Sequence, residues 1–230
     1  MAQHQTLRQR VYYAVVGAIL SWLGLGIELF VTVERSLSRG RSFEHALMVF
    51  FSFFTILTNL LVAFAFTAVA LQSKGSKGSK GSNKSIAGKD RTAPWSLFSR
   101  PFILGGIAPS IALVGIVYNL MLRQLWHPTG WGRVADELMH VIVPLGFVIY
   151  WFLCVPKAEL RWRDCLTWAL YPILYLVYAL IHGAQSGVYA YPFIDVAAIG
   201  YGAVMVNSVG ILLGFLIMAL FFIAFDRRKE

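Results

Sequence analysis

The sequence predicts an all-α polytopic membrane protein: six transmembrane helices packed as one bundle in a single domain over residues 1–230, with both termini in the cytoplasm. Three observations carry this expectation. Hydrophobic residues make up 58% of the chain and charged residues 13%, with a mean hydropathy of +0.66, outside the range of ordinary water-soluble domains. Apolar runs recur at the ~20-residue length that a ~30 Å hydrocarbon layer demands. Lys and Arg are segregated into alternate connections, the pattern that sets membrane orientation.

The spans are expected at 11–33, 46–71, 102–122, 138–155, 166–181 and 203–225. The first follows Arg8 and Arg10 as a secretory leader would, but it is too long for a leader's apolar segment and lacks a small-x-small exit. It is therefore read as retained. The fifth is the shortest and contains Pro172, which is tolerable where neighbouring groups satisfy the freed carbonyl. With six spans, fifteen Lys and Arg fall on the side of the termini and five (Arg35, Arg39, Arg41, Arg123 and Arg133) on the other. That bias places the termini inside. The net charge of +9 is accounted for in the same way, so no nucleic-acid partner is expected. Residues 72–100 include the run SKGSKGSKGSNKSIAGKD, a Gly/Ser/Lys repeat with too little apolar surface to offset the entropy of ordering it. It is expected to be a disordered basic cytoplasmic tether. Cys154 and Cys165 have no ligand spacing with any histidine and are read as packing residues.

Residues 50–66, FFSFFTILTNLLVAFAF, put polar groups into the second span. At 100° per helical residue, Ser52, Thr55 and Asn59 fall on one polar stripe. Such hydroxyls often only bond the carbonyl one turn back, and that reading stays open. With the orientation above, Glu28, Asn119, His140, His182 and Asn207 also lie in the outer half of the bilayer, with Thr55 somewhat deeper than His140. Polar groups at lipid depth are costly and often mark function. The aromatic outer residues Trp126, Trp131, Tyr189 and Tyr191 read individually as interfacial belt residues.

A hydroxyl becomes nucleophilic when a neighbouring base takes its proton, and histidine suits that task near neutral pH. Thr55 with His140 would form a two-member acyl-transfer site. Asn59, Asn119 or Asn207 would donate to the oxyanion, Glu28 would orient the imidazole, and His182 would support the site. No G-x-S-x-G elbow is present. The rival chemistry is a metal-dependent lipid hydrolase drawing on His45, His140, His182, Glu28 and Asp195, although no H-E-x-x-H spacing occurs. A haem held by two histidines ranks lower, and a non-enzymatic lipid-binding or transport protein remains a further class. No metal or cofactor is expected in the leading reading, and nothing in the chain sets an oligomeric state.

Three segments bear on the choice: FFTILTNL around Thr55, DELMHVIVP around His140, and YAYPFID from Tyr189 to Asp195. In this order they resemble the family of the androgen-induced protein and the androgen-dependent TFPI-regulating protein, with its bacterial six-span relatives. The resemblance implies an integral membrane hydrolase of lipid esters, such as fatty acid esters of hydroxy fatty acids, that uses a threonine and a histidine. Motif for motif these fall on Thr55 and His140, with Thr58 the alternative one turn away. It also implies a bacterial plasma (inner) membrane, a lipid ester substrate and membrane lipids as partners. Asp136 and Glu137 stand where the animal pattern has an Asn-His pair.

Overall fold

Residues 2–75 and 94–228 are described by the computed structural model, and among them every regular element is helical and no strand occurs. In chain order these are α1 (Ala2–Ser38), α2 (Phe43–Phe51), α3 (Phe54–Gly75), α4 (Pro101–Val117), α5 (Gly130–Glu137), α6 (Val143–Cys154), α7 (Asp164–Ser186) and α8 (Val196–Arg227). A π-helical stretch, Tyr118–Leu122, extends α4, and another, Leu138–Ile142, joins α5 to α6. Six helical stretches are then long and apolar enough to cross a membrane: Arg8–Ser38, Phe54–Leu71, Pro101–Leu122, Gly130–Cys154, Asp164–Ser186 and Val196–Arg227.

The core lies where α1, α3, α4 and α6 meet, around fully buried Phe66, Phe147, Tyr150 and Trp151. Gly17 allows the closest approach of α1 to α3, since a Cβ there would stand 2.6 Å from the Phe66 ring. The outer faces of α7 and α8 are the reverse of a soluble surface. Leu166 is 66% exposed and Ile217 69% exposed, an arrangement that suits hydrocarbon and not water. At one end of the bundle Arg10 donates to the Tyr150 hydroxyl (3.3 Å) and Arg227 to the Leu160 carbonyl (3.4 Å). At the other end the Arg35 guanidinium lies over the Trp126 ring, 5.3 Å from its centroid.

Four expectations need correction. The second span is not continuous over 46–71: α2 ends at Phe51 and α3 begins at Phe54. An apolar run shows no break in its composition, but here side chains satisfy the groups that the break frees. Tyr175 donates to the Ser52 carbonyl (2.9 Å) and Tyr178 to the Phe51 carbonyl (3.3 Å). Ser52 consequently leaves the expected stripe and turns its hydroxyl onto the Val49 carbonyl at 2.7 Å. The helix of the fourth span starts at Gly130, ahead of 138, and the charges in its first turns are paired: Asp136 with His140, and Glu137 with Arg123 and Arg133. The connection expected over 72–100 is shorter, since α3 runs to Gly75 and a 3-10 turn occupies Pro94–Ser99. The remainder of the Gly/Ser/Lys repeat lies outside the described residues.

The first, fifth and sixth helices extend beyond their apolar cores. α7 is stopped by Gly187, whose positive φ of 71° accommodates a left-handed cap that a side chain would strain. α8 opens at Asp195, whose carboxylate accepts from the Ala198 amide (3.1 Å), and is kinked at Gly200.

Candidate active site at the broken helix

A helix that begins inside a packed bundle leaves its first amides in need of partners. In α3 the Phe53 carbonyl accepts from Ile56 and Leu57, and the Thr55 amide is met by the Tyr191 hydroxyl at 3.2 Å. The same phenol oxygen lies 3.3 Å from Thr55 Oγ1. Tyr191 reaches this position from the YAYPFID segment, held between the Phe193 ring, stacked at 5.1 Å, and the Phe53 ring. It is a buried member of the site and not a belt residue. Burial raises its phenol above the ordinary value, and the hydrogen bonds with Thr55 oppose that rise.

Three more tyrosines complete this wall. Tyr171, Tyr175 and Tyr178 share one face of α7, and they reach Thr58 Oγ1 (3.0 Å), the Ser52 carbonyl and the Phe51 carbonyl in turn. Thr58 itself is fully buried and also donates to the Phe54 carbonyl at 2.8 Å, so its hydroxyl is the more committed of the two threonines.

Opposite stands a second group, assembled by the two π-helical stretches. A π turn bonds residue i to i+5 and leaves carbonyls without their usual partners, and such turns are frequent at functional sites. Here two asparagines collect them. Asn119 Nδ2 donates to the His140 carbonyl (3.2 Å) and to that of Gly115 (2.8 Å). Asn59 Nδ2 donates to the Met139 carbonyl (3.2 Å) and to that of Thr55 (2.9 Å). The His140 ring stacks on Tyr118 with centroids 3.6 Å apart and planes 15° apart. Its Nδ1 faces Asp136 Oδ1 at 3.1 Å and the Asp136 carbonyl at 3.0 Å.

A cavity of about 190 Å³ opens between α3, α4, α7 and α8. Thr55, Tyr118, Pro172, Tyr175, Tyr191 and Phe193 are in its wall, which is almost wholly apolar. Tyr118 is the link between the two groups, since its ring is both part of the cavity wall and the surface on which His140 lies.

The residues expected from sequence are thus partly gathered. Among the described residues Thr55 and His140 share no hydrogen bond: Thr55 pairs with Tyr191, and His140 with Asp136. Asn59 and Asn119 each have both amide hydrogens engaged on carbonyls, which leaves none for an oxyanion. Asn207 donates to the Phe193 carbonyl (3.1 Å) and borders a neighbouring cavity between α4 and α8. Glu28 accepts from Thr32 (3.3 Å) and acts on Asp136 and His140 only through space. His182 lies apart at the end of α7, beside Ser186 and Tyr178.

The ligands of the rival metal centre do not converge: no group of three or more His, Cys, Asp or Glu able to hold a metal ion occurs among the described residues. His45 pairs with Arg41 (2.9 Å), and Asp195 caps α8. Sequence reasoning missed Tyr118, Asp136 and the α7 tyrosines. The last carried a usable signal, phenols spaced i, i+4 and i+7 on an otherwise lipid-facing helix.

Fold and site define the class: an integral membrane bundle of six spanning helices with a polar cluster and an apolar cavity beside a broken helix. No family model, curated protein or solved structure matches the chain.

Proposed function

We propose that this protein is a membrane-embedded hydrolase of lipid esters, with Thr55 as nucleophile and His140 as base, acting in the outer half of a bacterial plasma membrane with both termini in the cytoplasm. The observation that carries the reading is that Thr55 and Tyr118, the residue on which His140 is stacked, form walls of one apolar cavity. An acyl chain in that cavity brings its ester to the first turn of α3. There the helix N-terminus favours developing negative charge, and the Tyr191 hydroxyl supplies a donor beside Thr55 Oγ1.

In this reading the ester enters beside Thr55 with the Tyr191 hydroxyl turned onto its carbonyl oxygen, and the aromatic wall shifts so that the Thr55 hydroxyl meets the imidazole. Thr55 Oγ attacks the acyl carbon as its proton passes to His140, and the alcohol leaves with that proton. Water, deprotonated by His140, then attacks the acyl-threonine, and the acid is released as that proton passes from His140 to the leaving Thr55 Oγ. A chain arriving laterally between α4 and α8 needs no mouth in the aqueous phase.

A second reading, lipid binding without turnover, is favoured by the separate engagement of Thr55 and His140 described above. A fluorophosphonate probe on the purified wild type, Thr55→Ala and His140→Ala separates the two. Labelling of wild type that is lost in Thr55→Ala and strongly slowed in His140→Ala supports the hydrolase. Wild type that never labels or cleaves any ester, while still retaining bound lipid, establishes the binding protein.

A further inference from the structure

We propose that Asp136 is the positioning residue of His140, holding the Nδ1 proton so that Nε2 is the one ring nitrogen free to accept a proton. The catalytic consequence rests on the hydrolase reading above; the assignment of the proton does not. Nδ1 has two neighbours at hydrogen-bond distance, Asp136 Oδ1 at 3.1 Å and the Asp136 carbonyl at 3.0 Å. A carbonyl and an ionised carboxylate only accept, so the nitrogen between them carries the hydrogen and the neutral ring is bare at Nε2. The carbonyl alone would bias the ring toward this tautomer without fixing it. The carboxylate adds a fixed counter-charge for the moment when the ring holds two protons.

The ring has little freedom to escape this arrangement. His140 and Asp136 side chains are only 12% and 10% exposed, Tyr118 covers one face of the imidazole, and Asn119 and Asn59 fix the carbonyls of His140 and Met139. The other charged or titratable groups acting on the pair are Glu28 and, through it, Arg35 on α1, Tyr118 and Arg123 from the α4 side, and Glu137 beside Asp136. α3 contributes the uncharged Asn59. Of the two carboxylates near the ring, Glu28 is spent on Thr32, and Asp136 alone bonds the imidazole. That replaces the role the sequence suggested for Glu28, and it falls on a position where the resembling animal pattern has no acid.

The test uses the full chain in lipid nanodiscs with 15N-labelled histidine, the His140 signals being identified by their loss in His140→Gln. In wild type the neutral ring is expected to show a protonated Nδ1 and an unprotonated Nε2. In Asp136→Leu the two tautomers should mix, kcat should fall about 100-fold or more with KM within about threefold, and Asp136→Glu should recover part of the loss. Asp136→Asn, nearly isosteric, shows the same direction if the leucine variant does not fold. A wild-type ring protonated at Nε2, or an Asp136→Leu or Asp136→Asn protein with unchanged tautomer and turnover, overturns the proposal. If wild type hydrolyses nothing, the hydrolase reading fails while the tautomer measurement still decides the part played by Asp136.

Discussion

Tyr191→Phe removes one oxygen and leaves the ring stacked on Phe193, so its effect isolates the phenol that meets Thr55. Both contacts with Thr55 are lost, the bond from its amide at 3.2 Å and the contact with its Oγ1 at 3.3 Å. The second partner is a hydroxyl, which can rotate away from the lost oxygen. The first is a buried amide at a helix start with no substitute, and stranding such a donor costs about 1–3 kcal/mol. Bonds within membrane bundles measured by double-mutant cycles average near 0.6 and reach about 1.7 kcal/mol, which favours the lower part of that range. We therefore expect a loss of about 1–2 kcal/mol. The assay is reversible unfolding in mixed micelles for wild type, Tyr191→Phe, Thr55→Val and the double variant. Because Thr55→Val keeps its amide, Tyr191→Phe should still destabilise in that background, with only the hydroxyl part of the effect removed. A Tyr191→Phe protein as stable as wild type, or a cost abolished entirely by Thr55→Val, would refute the capping argument.

Further outcomes follow from other parts of the bundle. Tyr175→Phe strands the Ser52 carbonyl, and amide exchange around residues 51–55 should accelerate while that of α6 stays unchanged, as read by hydrogen–deuterium exchange mass spectrometry. Gly17→Leu forces carbon against the Phe66 ring and should cost about 1–3 kcal/mol in the same unfolding assay, whereas Gly26→Leu, whose Cβ position is open, should cost far less. Single cysteines introduced at Arg8, Arg100 and Arg161 should react with a membrane-impermeant thiol reagent from one side of sealed vesicles, and those at Arg39 and Arg133 from the other; a mixed pattern would contradict the proposed orientation.

The number and approximate placement of the spans were legible because apolar length is dictated by membrane thickness and needs no knowledge of partners. What stayed hidden depends on neighbours. The break between Phe51 and Phe54 sits in an unbroken apolar run, and it is stable only because phenols from α7, far away in the chain, take over its carbonyls. Asn59 and Asn119 look like free donors in a sequence, yet each is consumed by a π turn that no hydropathy pattern reveals. Asp136 and Glu137 gain their meaning only from partners, His140 for the first and Arg123 for the second. Thr55 and His140 were expected within hydrogen-bond reach of one another, but the bonds each makes belong to other residues.

The row of phenols on α7 restricts how this half of the bundle can move. Tyr171, Tyr175 and Tyr178 grip three successive points along α2 and α3, so sliding α7 along its axis by less than a full turn would release all of them at once. Rocking about that toothed edge preserves the grip while opening the far side, toward α8. These three bonds therefore favour a swing of α7 over a piston stroke.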